Sequence, residues 1–235
     1  MLLDHIGAGL FPSQIWWRIV GRLAFPIFAF LICEGYFHTR AFKRYAIRLG
    51  IFAIISEIPF NLLHSDHIFD MEAQNIFFTL LIGLLTIYGF EKFAAKSDKQ
   101  LPPDDAHNLE NRVRTTNFAQ IAIAAAGLLA ANFARVDYGA FGVAVILIFY
   151  LFRDKRNLAL IFSAAANLAL GAIDFANGFV PLQALAGIAA IPLFFYNGEK
   201  GPSAKFAFYA FYPIHIAIIM AIKYIIFELP FSIWQ

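Results

Sequence analysis

The chain has 235 residues, of which 60% are A, V, I, L, M, F, W, Y or C and only 14% are charged. A soluble domain is about 45–50% apolar with glycine counted, and about 25% charged, so what remains here cannot form an aqueous surface and the chain reads as an integral membrane protein in a lipid bilayer. The same composition excludes a disordered chain and a nucleic-acid-binding module, and Cys33, the only cysteine, excludes an intrachain disulfide scaffold.

Met1 to Phe11 is apolar apart from Asp4 and His5. It is too short to cross a bilayer and lacks the basic region and cleavage site of a signal peptide. It reads as the second half of a spanning helix, or alternatively as an interfacial or re-entrant stub. Eight apolar runs follow, at 15–37, 45–63, 75–95, 117–134, 137–152, 156–173, 179–196 and 206–228. The expected fold is therefore all-α: a polytopic transmembrane helix bundle of about eight full spans plus a short N-terminal partial helix, in a single domain over 1–235. The hydrophilic stretch 96–116 reads as a mobile cytoplasmic loop, with Pro102, Pro103, Asp104 and Asp105 barring a helix across its middle. Gly83, Gly89, Gly139 and Gly142 are expected at close helix contacts. The runs 117–134 and 137–152 are joined by little more than Arg135, Val136 and Asp137, which leaves a re-entrant hairpin open.

Basic residues orient the chain, because they collect on the cytoplasmic side. With all eight runs spanning, one side receives fourteen Lys and Arg, in 40–48, 92–114, 153–156 and 200–205, and the other receives Arg135 alone. Those clusters are then cytoplasmic, and His64 to Gln74, Asp174 to Gly178 and the C-terminus face outward.

Ionisable residues within spans cost about 2.5–3.5 kcal/mol or more at mid-bilayer, so they face a bundle interior and find partners there. The candidates are Asp4, His5, Arg18, Arg22, Glu34, Glu57 with Asn61, Asn75 with Thr79, Asp137 and His215. Lys223 and Glu228 read as interfacial anchors. Arg18 and Arg22 are four apart and share one helix face. Their carboxylate partner comes from elsewhere, Glu57 and Asp4 both lying at the right depth, and an Arg22–Glu57 pair is equally readable as a purely structural brace. Asp4 and His5 are neighbours and point about 100° apart, so each can address a different partner in one cavity. His215 sits near mid-depth beside Pro213, whose missing N–H opens the helix ladder. His38, His64, His67 and His107 read as loop residues, and no metal is expected. His64 and His67 would need further ligands to hold zinc.

Taken together, Asp4-His5-Ile6-Gly7, Gly21 to Phe28 with Glu34-Gly35, His38-Thr39-Arg40, Tyr45 with Arg48-Leu49, Ser56 to Phe60, Asn75 to Thr79, Asp137-Tyr138-Gly139, Gly198 to Gly201 and Phe211 to His215 resemble the TraX family, in order along most of the chain. That family takes its name from a conjugation protein that acetylates the N-terminus of the mature pilin subunit. It is similar to the larger group of multi-spanning acyltransferases that modify extracytoplasmic targets. The resemblance implies acetyl-CoA as donor substrate, a pilin or other surface-exposed acceptor as partner, and residence in the bacterial inner membrane. The family usually has more helix before the Asp-His pair than this chain does.

On that reading the basic residues Arg40, Lys43, Arg44, Arg48 and Lys200 are expected to hold the phosphates of CoA at the inner mouth, although the positive-inside rule accounts equally for any one of them. Acyl transfer needs a base and a donor for the developing oxyanion. His5 is the candidate general base or acyl carrier, with Asp4 orienting the site, Arg22 stabilising charge, and Glu57 and His215 shaping the cavity. Two other classes remain open from sequence: a transporter or flippase, and a non-enzymatic membrane partner of a pilus or conjugation machine.

Overall fold

The computed structural model of the chain describes residues 1–99, 106–199 and 205–228. Among them the regular structure is helical, with no strand beyond an isolated bridge between Gln74 and Val136. The helices are α1 (Leu2–Gly9), α2 (Ile15–Arg22), α3 (Ala24–His38), α4 (Phe42–Ser65), α5 (Ile76–Lys99), α6 (Ala106–Phe133), α7 (Gly139–Leu151) and α8 (Arg156–Ala176). They are followed by α9 (Leu182–Leu185), a 3-10 turn at Ala186–Ala189, α10 (Ala190–Phe194), α11 (Lys205–Lys223) and a π turn at Tyr224–Glu228.

Every expected apolar run is helical at its place, but the helix lengths do not confirm eight full spans. Among the described residues, five helices are long and apolar enough to cross a membrane: Ile15–His38, Phe42–Ser65, Ile76–Phe93, Arg156–Ala176 and Phe206–Ile226. Three more are apolar but shorter, at Phe118–Phe133, Gly139–Leu151 and Leu182–Phe194. The 13 residues of α7 reach only about 20 Å, against a hydrocarbon core of about 30 Å. The reason is local. Arg135 and Tyr138 both take positive φ, so the turn before α7 consumes residues that apolarity alone assigns to the helix, and the 3-10 turn interrupts the run that ends at Phe194.

The hydrophilic stretch 96–116 is helical at both ends, as α5 continues to Lys99 and α6 begins at Ala106. The four residues expected to break it lie outside the described residues.

α5 packs against α3, α4, α6 and α7, and its Leu84 and Ile87 are fully buried with Val145 and Ile146 of α7. Gly83 and Gly142 permit this approach, since a Cβ on either would run into Ile146 or Thr79. A Cβ on Gly89 would meet a side-chain carbon of Ile123 at 3.3 Å, a milder crowding, whereas Gly139 serves the turn instead, at φ +48°. The outward faces of α4, α6, α8 and α11 expose Ile54, Ile121, Leu168 and Ile218, as a lipid-facing surface requires. The short α1 packs on α2, α11 and α4. It thereby places Asp4 and His5 at the end of the bundle where α4 and α11 finish.

Candidate functional site

The site begins with one face of α2. Arg18, Gly21 and Arg22 project from it together, and because Gly21 has no side chain α1 crosses there. A Cβ on Gly21 would lie 2.6 Å from Asp4 Cα. Asp4 is thus seated over both arginines. Arg18 Nε donates to Asp4 Oδ1 at 2.8 Å, and Arg22 Nε lies 3.7 Å from the same oxygen. Arg22 Nη1 reaches Tyr138 Oη at 3.4 Å, and the buried Arg22 Nε has no hydrogen-bond partner among the described residues. One carboxylate therefore serves two guanidiniums. It holds Arg18 closely and leaves Arg22 with donors to spare.

This corrects the suggested pairing of Arg22 with Glu57. Glu57 Oε2 instead accepts from the backbone N–H of Asn75 at 3.5 Å and from its side-chain amide. The same amide also donates to the Ala53 carbonyl at 2.8 Å, so Glu57 braces α4 against the start of α5. Equal depth did not make Glu57 and Arg22 partners, because they leave their helices in different directions.

His5 turns away from Asp4 into the bundle and is buried. Its Nδ1 lies 2.7 Å from Nε2 of His215, with the rings 13° from coplanar and their centroids 5.0 Å apart. Two rings so disposed meet edge to edge, as an N–H···N hydrogen bond demands. His215 Nδ1 in turn lies 2.6 Å from the Phe211 carbonyl, one turn back in α11. His64, expected in a loop, belongs to the last turn of α4, its ring centroid 6.2 Å from that of His5 and its Nδ1 3.0 Å from the Phe60 carbonyl. His38 likewise ends α3 and His107 lies in α6.

A cavity of about 530 Å³ opens beside these groups, lined by Asp4, His5, Arg18, Arg22, His64 and the segment Arg135 to Gly139 among others. Its roof is a pair of connections held together by their backbones: Gln74 N–H donates to the Arg135 carbonyl at 2.9 Å, and Asp137 N–H donates to the Gln74 carbonyl at 2.7 Å. The Thr79 hydroxyl donates to the Asp137 carbonyl. Tyr138, at φ +62°, holds a left-handed conformation uncommon for a non-glycine residue, and this lays its ring on Phe25 with centroids 3.9 Å apart. In the same connection Glu72 N–H donates to Asp70 at 2.8 Å, which holds that exposed carboxyl below the ordinary carboxylate range.

Of the expected site residues, the structure brings Asp4, His5 and Arg22 to the cavity, sets His215 behind His5, and leaves Glu57 off the lining. Arg18, His64 and Tyr138 join them. Arg18 stands among the ionisable candidates and Tyr138 in one of the family-like runs, neither with a part in the expected chemistry, and His64 is obscured because its helix runs further than expected. Among the described residues no group of three or more His, Cys, Asp or Glu is arranged to hold a metal.

Arg40, Lys43 and Arg44 are exposed at the opposite end of the bundle, and Lys200 lies outside the described residues. Arg48 differs from its neighbours. It is half-buried between the rings of Tyr45 and Tyr209, 5.9 and 6.0 Å from their centroids, and its Nε has no hydrogen-bond partner among the described residues. Arg48 is twelve residues before cavity-lining Phe60 in α4, about 18 Å along the axis. Sequence reasoning also passed over a second cavity at that end, of about 130 Å³, which contains Glu34, Arg153, Arg156 and Tyr196.

Comparison with known proteins places this arrangement. A probable fimbrial assembly protein of Dichelobacter nodosus, FimC of serogroup H1, is 29% identical over 95% of this chain and 91% of its own length. An uncharacterized protein of Rickettsia prowazekii (strain Madrid E) is 24% identical over 78% of this chain, which spans only 64% of that relative. No solved structure matches. Residues 1–223 match the TraX protein family, and that match takes in the His5–Arg22 cavity and every helix from α1 to α11: the chain belongs to the TraX family.

Proposed function

We propose that this chain is a membrane-embedded acetyltransferase that moves an acetyl group from cytoplasmic acetyl-CoA to an acceptor beyond the membrane, the N-terminus of a pilin being the first candidate. The observation that carries the reading is the convergence of His5 and an under-paired Arg22 on one cavity of about 530 Å³, a size suited to a small reacting group and the end of its carrier. The name of the Dichelobacter nodosus relative, a fimbrial assembly protein, supports a pilus-related role.

The chemistry follows from the charges. The acceptor amine attacks the thioester carbonyl, forming a C–N bond while the carbonyl oxygen becomes an oxyanion. Arg22 supplies N–H donors and a positive charge to that oxygen. Arg18 and Arg22 against the single carboxylate of Asp4 also disfavour a protonated amine, so the acceptor reaches the site in its nucleophilic form. His5 takes the proton released on attack and returns it to the departing CoA sulfur as the C–S bond breaks. Asp4 fixes both guanidiniums. The bias of basic residues supports a His5 end away from the cytoplasm and a C-terminus outside, and the reading takes the bacterial inner membrane as the location. Arg48, with Arg40, Lys43 and Arg44 at the same end of the bundle, then meets the CoA phosphates, Lys200 being a further candidate for them from sequence, and the pantetheine arm would have to span the ~18 Å of α4 between Arg48 and the cavity.

Mass spectrometry of surface proteins from cells with and without this chain tests the reading. Loss of an N-terminal acetyl group from a pilin or another surface protein is the expected result, and no change in any acetyl mark would overturn it. A transporter would release no free CoA from acetyl-CoA and acceptor. A non-enzymatic assembly partner would keep its phenotype with His5→Ala and Arg22→Ala.

A further inference from the structure

We infer that His215 is a positioning residue that fixes the proton of His5 on Nδ1, so that the basic nitrogen of the site is His5 Nε2. The inference follows from hydrogen-bond accounting along one line of atoms. The Phe211 carbonyl can only accept, so the 2.6 Å contact requires His215 Nδ1 to carry a proton. A neutral His215 then has a bare Nε2. The 2.7 Å contact from that nitrogen to His5 Nδ1 needs one proton between them, and His5 Nδ1 must supply it. Nε2 of a neutral His5 is left with a free lone pair, on the ring edge turned away from α11.

The alternative places a second proton on His215, which would donate from Nε2 and leave His5 protonated on its own Nε2. That state puts an imidazolium at a buried position, and among the described residues neither ring pairs with a carboxylate. Burying such a charge without a counter-ion is costly. Asp4, the nearest acid in sequence, is occupied by Arg18 and Arg22. The rings are also near coplanar and edge to edge, which rotation of either imidazole would destroy. His215 therefore acts on His5 as second-layer hydrogen-bond partners act on metal-bound or catalytic histidines, by choosing the tautomer. His64 repeats the device, with Nδ1 on the Phe60 carbonyl, but its ring makes no hydrogen bond to His5 among those described.

The catalytic consequence rests on the acetyl-transfer reading, whereas the tautomer does not. The test uses the full chain in lipid nanodiscs with ¹⁵N-labelled histidine, comparing wild type, His215→Leu, which removes the acceptor, and His215→Gln, whose side-chain oxygen can replace it. The His5 resonances, identified by their loss in His5→Ala, are expected to show a protonated Nδ1 and a bare Nε2 in wild type and His215→Gln. In His215→Leu the proton should move to Nε2 in a substantial fraction of molecules. Acetyl transfer should fall about 2- to 10-fold in kcat in His215→Leu, in proportion to the molecules whose Nδ1 proton has moved, with KM for acetyl-CoA unchanged and substantial recovery in His215→Gln. A wild-type His5 protonated on Nε2, or a His215→Leu variant that keeps the Nδ1 proton, would overturn the inference. The expected tautomers with no transfer by wild type would support the assignment of His5 and overturn the acetyltransferase reading instead.

Discussion

Asp4 is the residue on which the site turns, because it is one carboxylate shared by two guanidiniums and buried to roughly the same extent as they are. Asp4→Asn leaves both cations without a counter-charge, and the cost should fall between exposed and buried ion pairs, at about 1–3 kcal/mol. Thermal unfolding in detergent would read this as a lowered Tm. Glu57→Gln keeps an acceptor for Asn75 and should cost less; an effect as large as that of Asp4→Asn, and non-additive with Arg22→Met, would restore the Arg22–Glu57 pair. Tyr138→Phe keeps the stack on Phe25 and removes only the hydroxyl that meets Arg22. Stability should change little, and transfer should slow if the hydroxyl aims Arg22; an unchanged kcat would dismiss that role. Much of this was legible in the sequence. Asp4, His5, Arg22 and His215 stand out because the bilayer penalises them wherever they lack partners. Depth is readable from the distance to a helix end, whereas direction around the axis depends on how helices pack, and for that reason Glu57 was placed beside Arg22.

At the scale of elements, the docking of α1 on α2 is what builds the cavity, and Gly21 is the contact that allows it. Gly21→Ala should push Asp4 off its arginines and destabilise the protein by about 1–3 kcal/mol. Gly50→Ala is the control, since a Cβ there meets Leu81 at an ordinary 3.7 Å and alanine favours a helix interior by about 1 kcal/mol. Equal losses from both substitutions, read as Tm, would contradict the packing described. The apolar runs located the helices because any backbone crossing lipid must satisfy its own hydrogen bonds. Their ends were harder to read. The left-handed turn at Arg135 and Tyr138 and the 3-10 turn at Ala186–Ala189 shorten helices through backbone geometry that apolar composition does not register. The last two residues of α4, polar His64 and Ser65, read as loop because apolar composition marks only the lipid-facing length of a helix.

For the whole molecule, the two ends have different characters: exposed basic residues at one, and the His5–Arg22 cavity under its roof of two paired connections at the other. Cys33 is the only cysteine and is buried, so introduced cysteines label against a quiet background. In intact cells, a membrane-impermeant maleimide should label Phe69→Cys, whose side chain is 85% exposed, and should label Arg153→Cys only after permeabilisation. The reverse pattern would invert the orientation and separate the cavity from an external acceptor. The central claim is that this cavity transfers acetyl groups, and reconstitution addresses it most directly. Purified protein in nanodiscs is supplied with acetyl-CoA and a peptide bearing a pilin N-terminus, and both free CoA and acetylated peptide are quantified. The account predicts that the two products appear in equal amounts with wild type and are lost in a folded His5→Ala variant. Equal product from wild type and His5→Ala would contradict it.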